Sequence, residues 1–138
     1  MRVIGLDLGT KTLGIALSDP LGIIATGVET FRFDENDYEM AINRVQYYLN
    51  LHQIKTIVIG LPLHMNGDVG TKANEILAFK QKLEEKFHLP VVTIDERWTT
   101  KLATNRLLQA DMSREKRKKV IDKMAAVVIL QNYLDSKK

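Results

Sequence analysis

The chain of 138 residues has the length of one domain, and its 45% hydrophobic and 27% charged residues belong to a globular protein, which excludes disorder and collagen-like repeats. It contains no cysteine, which excludes disulfides, thiolate zinc sites and cysteine nucleophiles and suits a reducing compartment. The net charge of +3 says little alone, but Arg114, Lys116, Arg117, Lys118, Lys119 and Lys123 fall within ten residues, a density that suits phosphate contact or a solvated helix start.

In chain order, Val3 to Leu8 is an apolar strand-like run interrupted by Asp7. Gly9 to Thr12 makes a turn. Leu13 to Ser18 follows, with Leu13, Ile15 and Leu17 on one face and Gly14, Ala16 and Ser18 on the other. Asp19-Pro20-Leu21-Gly22 carries turn chemistry, and Ile23 to Phe33 reads as a third strand. Connections this short predict an antiparallel meander.

The period then becomes helical. From Asp37 as N-cap, Tyr38, Ala41, Ile42, Val45 and Leu49 recur to about His52. Ile57-Val58-Ile59, within Lys55 to Gly60, suits a buried parallel strand. Leu61 to Gly70 is a loop, and Thr71 caps a helix to Phe87 with Ala73, Ile76, Leu77, Leu83 and Phe87 inward. Val91 to Ile94 makes the fifth strand. Thr99 or Thr100 caps a short helix to about Gln109, and a last helix runs from Arg114 to about Leu134. The order is β-β-β-α-β-α-β-α-α, and no linker or repeat divides residues 1–138, so a single α/β domain is expected. The amino-terminal residues lack the apolar core of a signal peptide, and no apolar run approaches the ~20 residues of a membrane helix. The expected setting is cytoplasmic, without a membrane partner.

Three acids stand in unusual places. Asp7 lies inside the opening strand, where an ionised carboxylate costs several kcal/mol unless paired. It is followed by Gly9, Thr10 and Lys11, a turn that lets a phosphate approach while Lys11 supplies charge. Asp95-Glu96-Arg97 closes the fifth strand, at the carboxyl edge where α/β sheets gather ligands; Glu96 is placed to face a site and Arg97 to hold a phosphate. Asp122 heads an apolar helix face whose next members are Ala125, Ala126 and Ile129, and the alanines allow close approach to a neighbour. Each acid also has a bland reading: a strand-end acid, an exposed ion pair, and a helix-start acid worth only about 0.3–1 kcal/mol against the macrodipole. If the three meet, their mutual repulsion favours binding a cation, and an all-oxygen set suits Mg²⁺ or Mn²⁺ rather than zinc.

Taken together these residues resemble the YqgF/RuvX family, Holliday-junction-resolvase-like proteins of the ribonuclease H-like superfamily. The matching stretches are Gly5-Leu6-Asp7-Leu8-Gly9-Thr10-Lys11 with Gly14, Ala16, Ser18 and Asp19; Gly60-Leu61-Pro62 through Met65-Asn66-Gly67; Asp95-Glu96-Arg97 with Thr99-Thr100; and Ser113 through Lys116-Arg117-Lys118 to Asp122 and Ala125-Ala126. The resemblance implies a five-stranded mixed sheet in the order 3-2-1-4-5, with Asp7 on the central strand. It implies Asp7, Glu96 and Asp122 as metal-binding, catalytic carboxylates, with Asp95 a second choice to Glu96. Trp98 stands where an aliphatic residue is more usual.

The function this implies is a metal-dependent nuclease that hydrolyses phosphodiester bonds, with structured RNA and the 5′ end of precursor 16S rRNA as the suggested substrate. Lys11, Arg97, Arg114, Lys116, Arg117, Lys118 and Lys119 would then contact nucleic acid. A Holliday-junction DNA nuclease and a non-catalytic ribosome-associated RNA-binding factor are the alternatives. An actin-like ATPase fits less well, because those proteins place nucleotide between two such domains. Monomer and homodimer are both compatible with the sequence, and the histidines, His64 among them, show no metal-ligand spacing.

Overall fold

The computed structural model describes residues 1–62, 70–95 and 114–137, the side chains of 114–124 excepted. Its described elements are β1 (Arg2–Leu8), β2 (Thr12–Ser18), β3 (Ala25–Arg32), α1 (Tyr38–Leu51), β4 (Ile54–Leu61), α2 (Thr71–Phe87), β5 (Val91–Asp95) and α3 (Arg114–Ser136). The strands form one sheet in the order β3-β2-β1-β4-β5. β1, β2 and β3 pair antiparallel as the short turns require, whereas β4 runs parallel to both β1 and β5. This is the mixed five-stranded sheet that the resemblance implied.

Strand alternation divides the core into two layers. Ile4, Leu6 and Leu8 of β1 join Leu13, Ile15, Ile57 and Ile59 beneath α1 and α2. Val3, Ala16 and Val58 lie on the other face, beneath Ala126, Ile129, Leu130 and Leu134 of α3. β2 is therefore buried on both faces, which is why its second face carries only the small residues Gly14, Ala16 and Ser18. The Ser18 hydroxyl, itself buried, accepts the Val3 N–H at 2.8 Å and donates to the Asp19 carbonyl at 2.9 Å.

Three expectations need correction. β3 begins at Ala25, not Ile23, because the Asp19 carboxylate accepts the Ile23 and Ile24 N–H groups at 2.7 and 2.9 Å and takes them out of the ladder. Those bonds also hold the Asp19 carboxyl below its ordinary range. The residue preceding α2 is Gly70, so Thr71 is the first helical residue rather than the cap. On α2 the inward stripe is Ala73, Ile76, Phe79 and Leu83; Leu77, one position off that stripe, is 37% exposed. The last helix starts at Arg114 as expected and ends at Ser136, whose hydroxyl donates to the Tyr133 carbonyl at 2.6 Å. Asp37 does precede α1, though without a side-chain capping bond. The short helix expected after Thr99 lies outside the described residues.

A polar cluster ties edge strand β3 to α1. The Tyr48 hydroxyl donates to Glu29 at 2.7 Å, Arg44 pairs with the same carboxylate, and the Arg44 guanidinium lies 4.2 Å from the centre of the Tyr47 ring. Burial first, and the Glu29 bond second, push the Tyr48 phenol up from 10.0 to about 12. A folded value above the unfolded one contributes stability that is complete below pH 10 and is lost as the pH climbs through about 12. Tyr48→Phe is therefore expected to lower stability at neutral pH and to shrink the alkaline loss, as read from urea midpoints measured across that range. An alkaline limb of unchanged size in Tyr48→Phe would assign it to other groups.

Candidate active site

Asp7 sits near the carboxyl end of the central strand, half-buried and directly opposite Gly14 of β2. Its parity is that of Val3 and Gly5, so it belongs to the α3 face of the sheet. On the other side, the β1–β4 register pairs Leu6 with Ile59, and the next residue of β4 is Gly60, which has the parity of Val58. Both lateral neighbours of Asp7 on that face are thus glycines. Neither carries a side chain to fill the ground beside the carboxylate.

The turn after β1 is tightly built. Gly9 donates its N–H to the Thr12 carbonyl at 2.7 Å, and a Cβ at position 9 would stand only 2.8 Å from Thr12 Oγ1. The Thr10 and Lys11 carbonyls accept N–H groups of Asn36 and Phe33, each at 2.9 Å, which anchors the turn to the segment between β3 and α1. Lys11 is exposed at its tip. The backbone that carries Lys11 is thereby anchored near the carboxyl end of β1.

The approach of α3 decides what else can reach Asp7. A Cβ added to Gly5 would fall 2.6 Å from Leu130 Cβ and 3.2 Å from the Ala126 carbonyl oxygen, so helix and strand are in direct backbone contact there. Leu134 packs with Val3 in the same layer. Because the later helical residue meets the earlier strand residue, α3 runs antiparallel to β1. Two residues beyond Gly5 the strand reaches Asp7, a step of roughly 6.6 Å. One turn before Ala126 the helix backbone reaches Asp122, a step of roughly 6 Å in the same direction. Backbone geometry therefore sets the Asp122 turn level with Asp7.

Asp95 pairs in register with Leu61, whose side chain packs against the α1–α2 layer. The same parity is shared by Val91, so Asp95 belongs to the face away from Asp7. Glu96 and Arg97 lie outside the described residues, as do Trp98, Thr99, Thr100 and His64. Arg114, Lys116, Arg117, Lys118 and Lys119 lie on the described backbone of α3 at its amino-terminal end, with their side chains outside the description. Among the described residues there is no group of three or more metal-ligating side chains; two of the three expected acids stand outside that set.

Two positioning features escaped the sequence reading. Gly5 carries a signal in the sequence, since a glycine inside a strand marks close backbone approach. Gln131 carries no such signal. Its Oε1 accepts the Ala25 N–H and its Nε2 donates to the Ile23 carbonyl, both at 2.9 Å, which clamps α3 to the β2–β3 turn.

The chain is similar to several known proteins. A family model described as "RuvX: Holliday junction resolvase" matches residues 1–136. A protein of Geobacillus sp. strain WCH70 named "Putative pre-16S rRNA nuclease" is 54% identical over 99% of each chain. A protein of the same name from Desulforamulus reducens is 52% identical over 99% of this chain and 98% of its own. Among solved structures, RuvC of T. thermophilus in complex with a Holliday junction substrate aligns with a TM-score of 0.63 and 17% identity over 99% of this chain and 96% of its own. The fowlpox virus Holliday junction resolvase aligns with a TM-score of 0.60 and 13% identity over the whole of both chains. At those identities the two structures show a shared fold. A ROK hexokinase from Thermus thermophilus aligns with a TM-score of 0.50 over only 38% of its length.

Proposed function

The chain belongs to the RuvX family of resolvase-type nucleases, and on that premise we propose that it hydrolyses phosphodiester bonds of precursor 16S rRNA in a reaction that needs divalent metal. The observation that carries this reading is the placement of Asp7 on the central strand, between two glycines and level with the Asp122 turn of α3. In that setting Asp7, Glu96 and Asp122 are the proposed metal-binding carboxylates. Asp95 is set aside because its parity turns it to the opposite face.

The proposed donor set contains only carboxylate oxygens, and the glycines on either side of Asp7 add no side chain to it, so the residues fit Mg²⁺ or Mn²⁺. Bound there, such ions would supply an activated water and charge neutralisation at the leaving oxygen. The chain's own part is positional. The strand holds Asp7 rigidly, the anchored turn presents Lys11 to a phosphate, and Arg97 with Arg114, Lys116, Arg117, Lys118 and Lys119 contributes further phosphate contacts. The proposed setting is the cytoplasm; among the described residues no helix is long and apolar enough to cross a membrane.

Chelation by EDTA is expected to stop cleavage of a precursor 16S rRNA 5′ fragment, and added Mg²⁺ or Mn²⁺ to restore it. The family description favours a second reading, cleavage of four-way DNA junctions. Both substrates should be compared at one salt concentration, since phosphate-driven affinity falls steeply with salt. Cleavage that persists in EDTA ends the metal-dependent reading. Efficient cutting of junction DNA alongside untouched rRNA selects the second.

A further inference from the structure

Away from the acids, at the opposite end of β1, lies a cavity of about 380 Å³ bordered by Val3, the β2–β3 turn, the start of β4 and the end of α3. Its floor is apolar, with Val3 and Leu134 buried. Leu21 and Ile23 rise at its rim, 81% and 44% exposed. Lys55 and Lys137 also line it, and the Lys137 ammonium is held 5.3 Å from the centre of the Tyr133 ring. Among the described residues, no acidic side chain lines the cavity.

Single exposed leucines need no explanation. Here, however, the exposed apolar side chains sit on a built scaffold. The turn that carries them is closed by the Asp19 carboxylate and clamped to α3 by Gln131. Apolar surface held rigidly beside two cations is complementary to a ligand with a flat apolar body and an anionic group, as a nucleotide has.

We propose that this cavity is a second nucleic-acid contact, in which Leu21 and Ile23 take the face of a base while Lys55 and Lys137 each take one of the two adjoining phosphates of a substrate strand. The inference rests on the nuclease reading for the identity of that strand. Val3 and Asp7 share a face of β1 and stand four residues apart, roughly 13 Å. The cavity therefore lies a few nucleotides along a bound strand from the acidic edge. A bound strand would run beside α3 and meet the basic run at one end of that helix and the cavity at the other. The site would thus fix the register of the strand and leave the chemistry to the far edge.

The test measures binding in EDTA, so cleavage does not enter it. Fluorescence anisotropy follows a labelled RNA hairpin with single-stranded flanks across a KCl series. In the Lys55→Ala/Lys137→Ala double variant the slope of log K against log[KCl] is expected to fall by about 1.4–1.8, two phosphate contacts' worth. Lys55→Arg/Lys137→Arg is expected to keep the native slope. Leu21→Ser/Ile23→Ser is expected to weaken binding at every salt concentration with the slope unchanged. All these positions are at the surface or the cavity rim, and circular dichroism checks that each variant is folded. An unchanged slope and affinity in the alanine pair overturn the proposal. So does a cavity that takes a hexaglutamate peptide and loses it in the alanine pair while RNA binding stays native, since the partner is then an acidic protein. If the salt slope falls as expected but the purified protein cleaves nothing, the RNA site stands and the nuclease reading fails.

Discussion

Asp7→Asn is expected to reduce metal-dependent cleavage by more than about 10²-fold while leaving the protein folded. Groups that merely orient a metal ligand cost about 10–100-fold when removed, so loss of a direct ligand belongs beyond that range. The substitution keeps the shape of the side chain and removes only its charge. With metal absent, like charges about 4 Å apart repel by about 4 kcal/mol at an effective dielectric of 20, so neutralising one of several facing carboxylates should hold or raise the melting temperature. Metal should act the other way on the native protein. A ligand at 100 times its dissociation constant adds about 2.7 kcal/mol of stability, and that Mg²⁺- or Mn²⁺-dependent gain should largely vanish in Asp7→Asn. A variant that unfolds while metal still stabilises native protein would assign Asp7 to the fold instead, since the carboxylate does interact with other groups. Native cleavage by a folded Asp7→Asn protein would remove Asp7 from the chemistry altogether.

The central sheet was legible because its residues obey one pattern at every level. Leu13, Ile15 and Leu17 alternate with Gly14, Ala16 and Ser18, the turns on either side are too short for a crossover, and Ile57-Val58-Ile59 is apolar on both faces as a parallel strand demands. Errors arose where a side chain competed with the backbone pattern. Ile23 and Ile24 look like strand residues, yet Asp19 captures their N–H groups. Phe79, not Leu77, completes the stripe from Ile76 to Leu83. The Glu29, Arg44 and Tyr48 cluster could not be read at all, since strand and helix positions carry no mark of which charges will meet.

The candidate site divides in the same way. Asp7 announces itself as a charge in an apolar strand, and the alanines after Asp122 announce a helix that lies close to something. What they lie close to is supplied only by the fold, in the contact of Gly5 with Ala126 and Leu130. The role proposed for Glu96 rests on its place at the end of β5, on the family pattern and on the parity that turns Asp95 to the other face, and the role proposed for Arg97 rests on its place beside Glu96.

Gly5→Ala is the substitution expected to damage both fold and site, and it does so with a single methyl group. The added Cβ would stand 2.6 Å from Leu130 Cβ, a separation that atoms of this kind do not tolerate, and 3.2 Å from a backbone carbonyl that has no rotamer to yield. Overpacking of this kind costs about 1–3 kcal/mol, and relief requires α3 to move off the sheet. That movement carries the Asp122 turn away from Asp7. A displacement near 1 Å is enough to lower a positioned reaction by about 10²-fold, so activity should fall further than stability at temperatures where the variant remains folded. Trimming the opposing side chain offers no escape: Leu130→Ala keeps the offending Cβ and adds a cavity in the fully buried layer, so the double variant should be less stable than either single one. Urea unfolding of the four proteins, with cleavage measured well below each midpoint, separates the two effects. Gly5→Ala with native stability and native turnover would mean that helix and strand do not touch there, and the common level of Asp7 and Asp122 would lose its foundation.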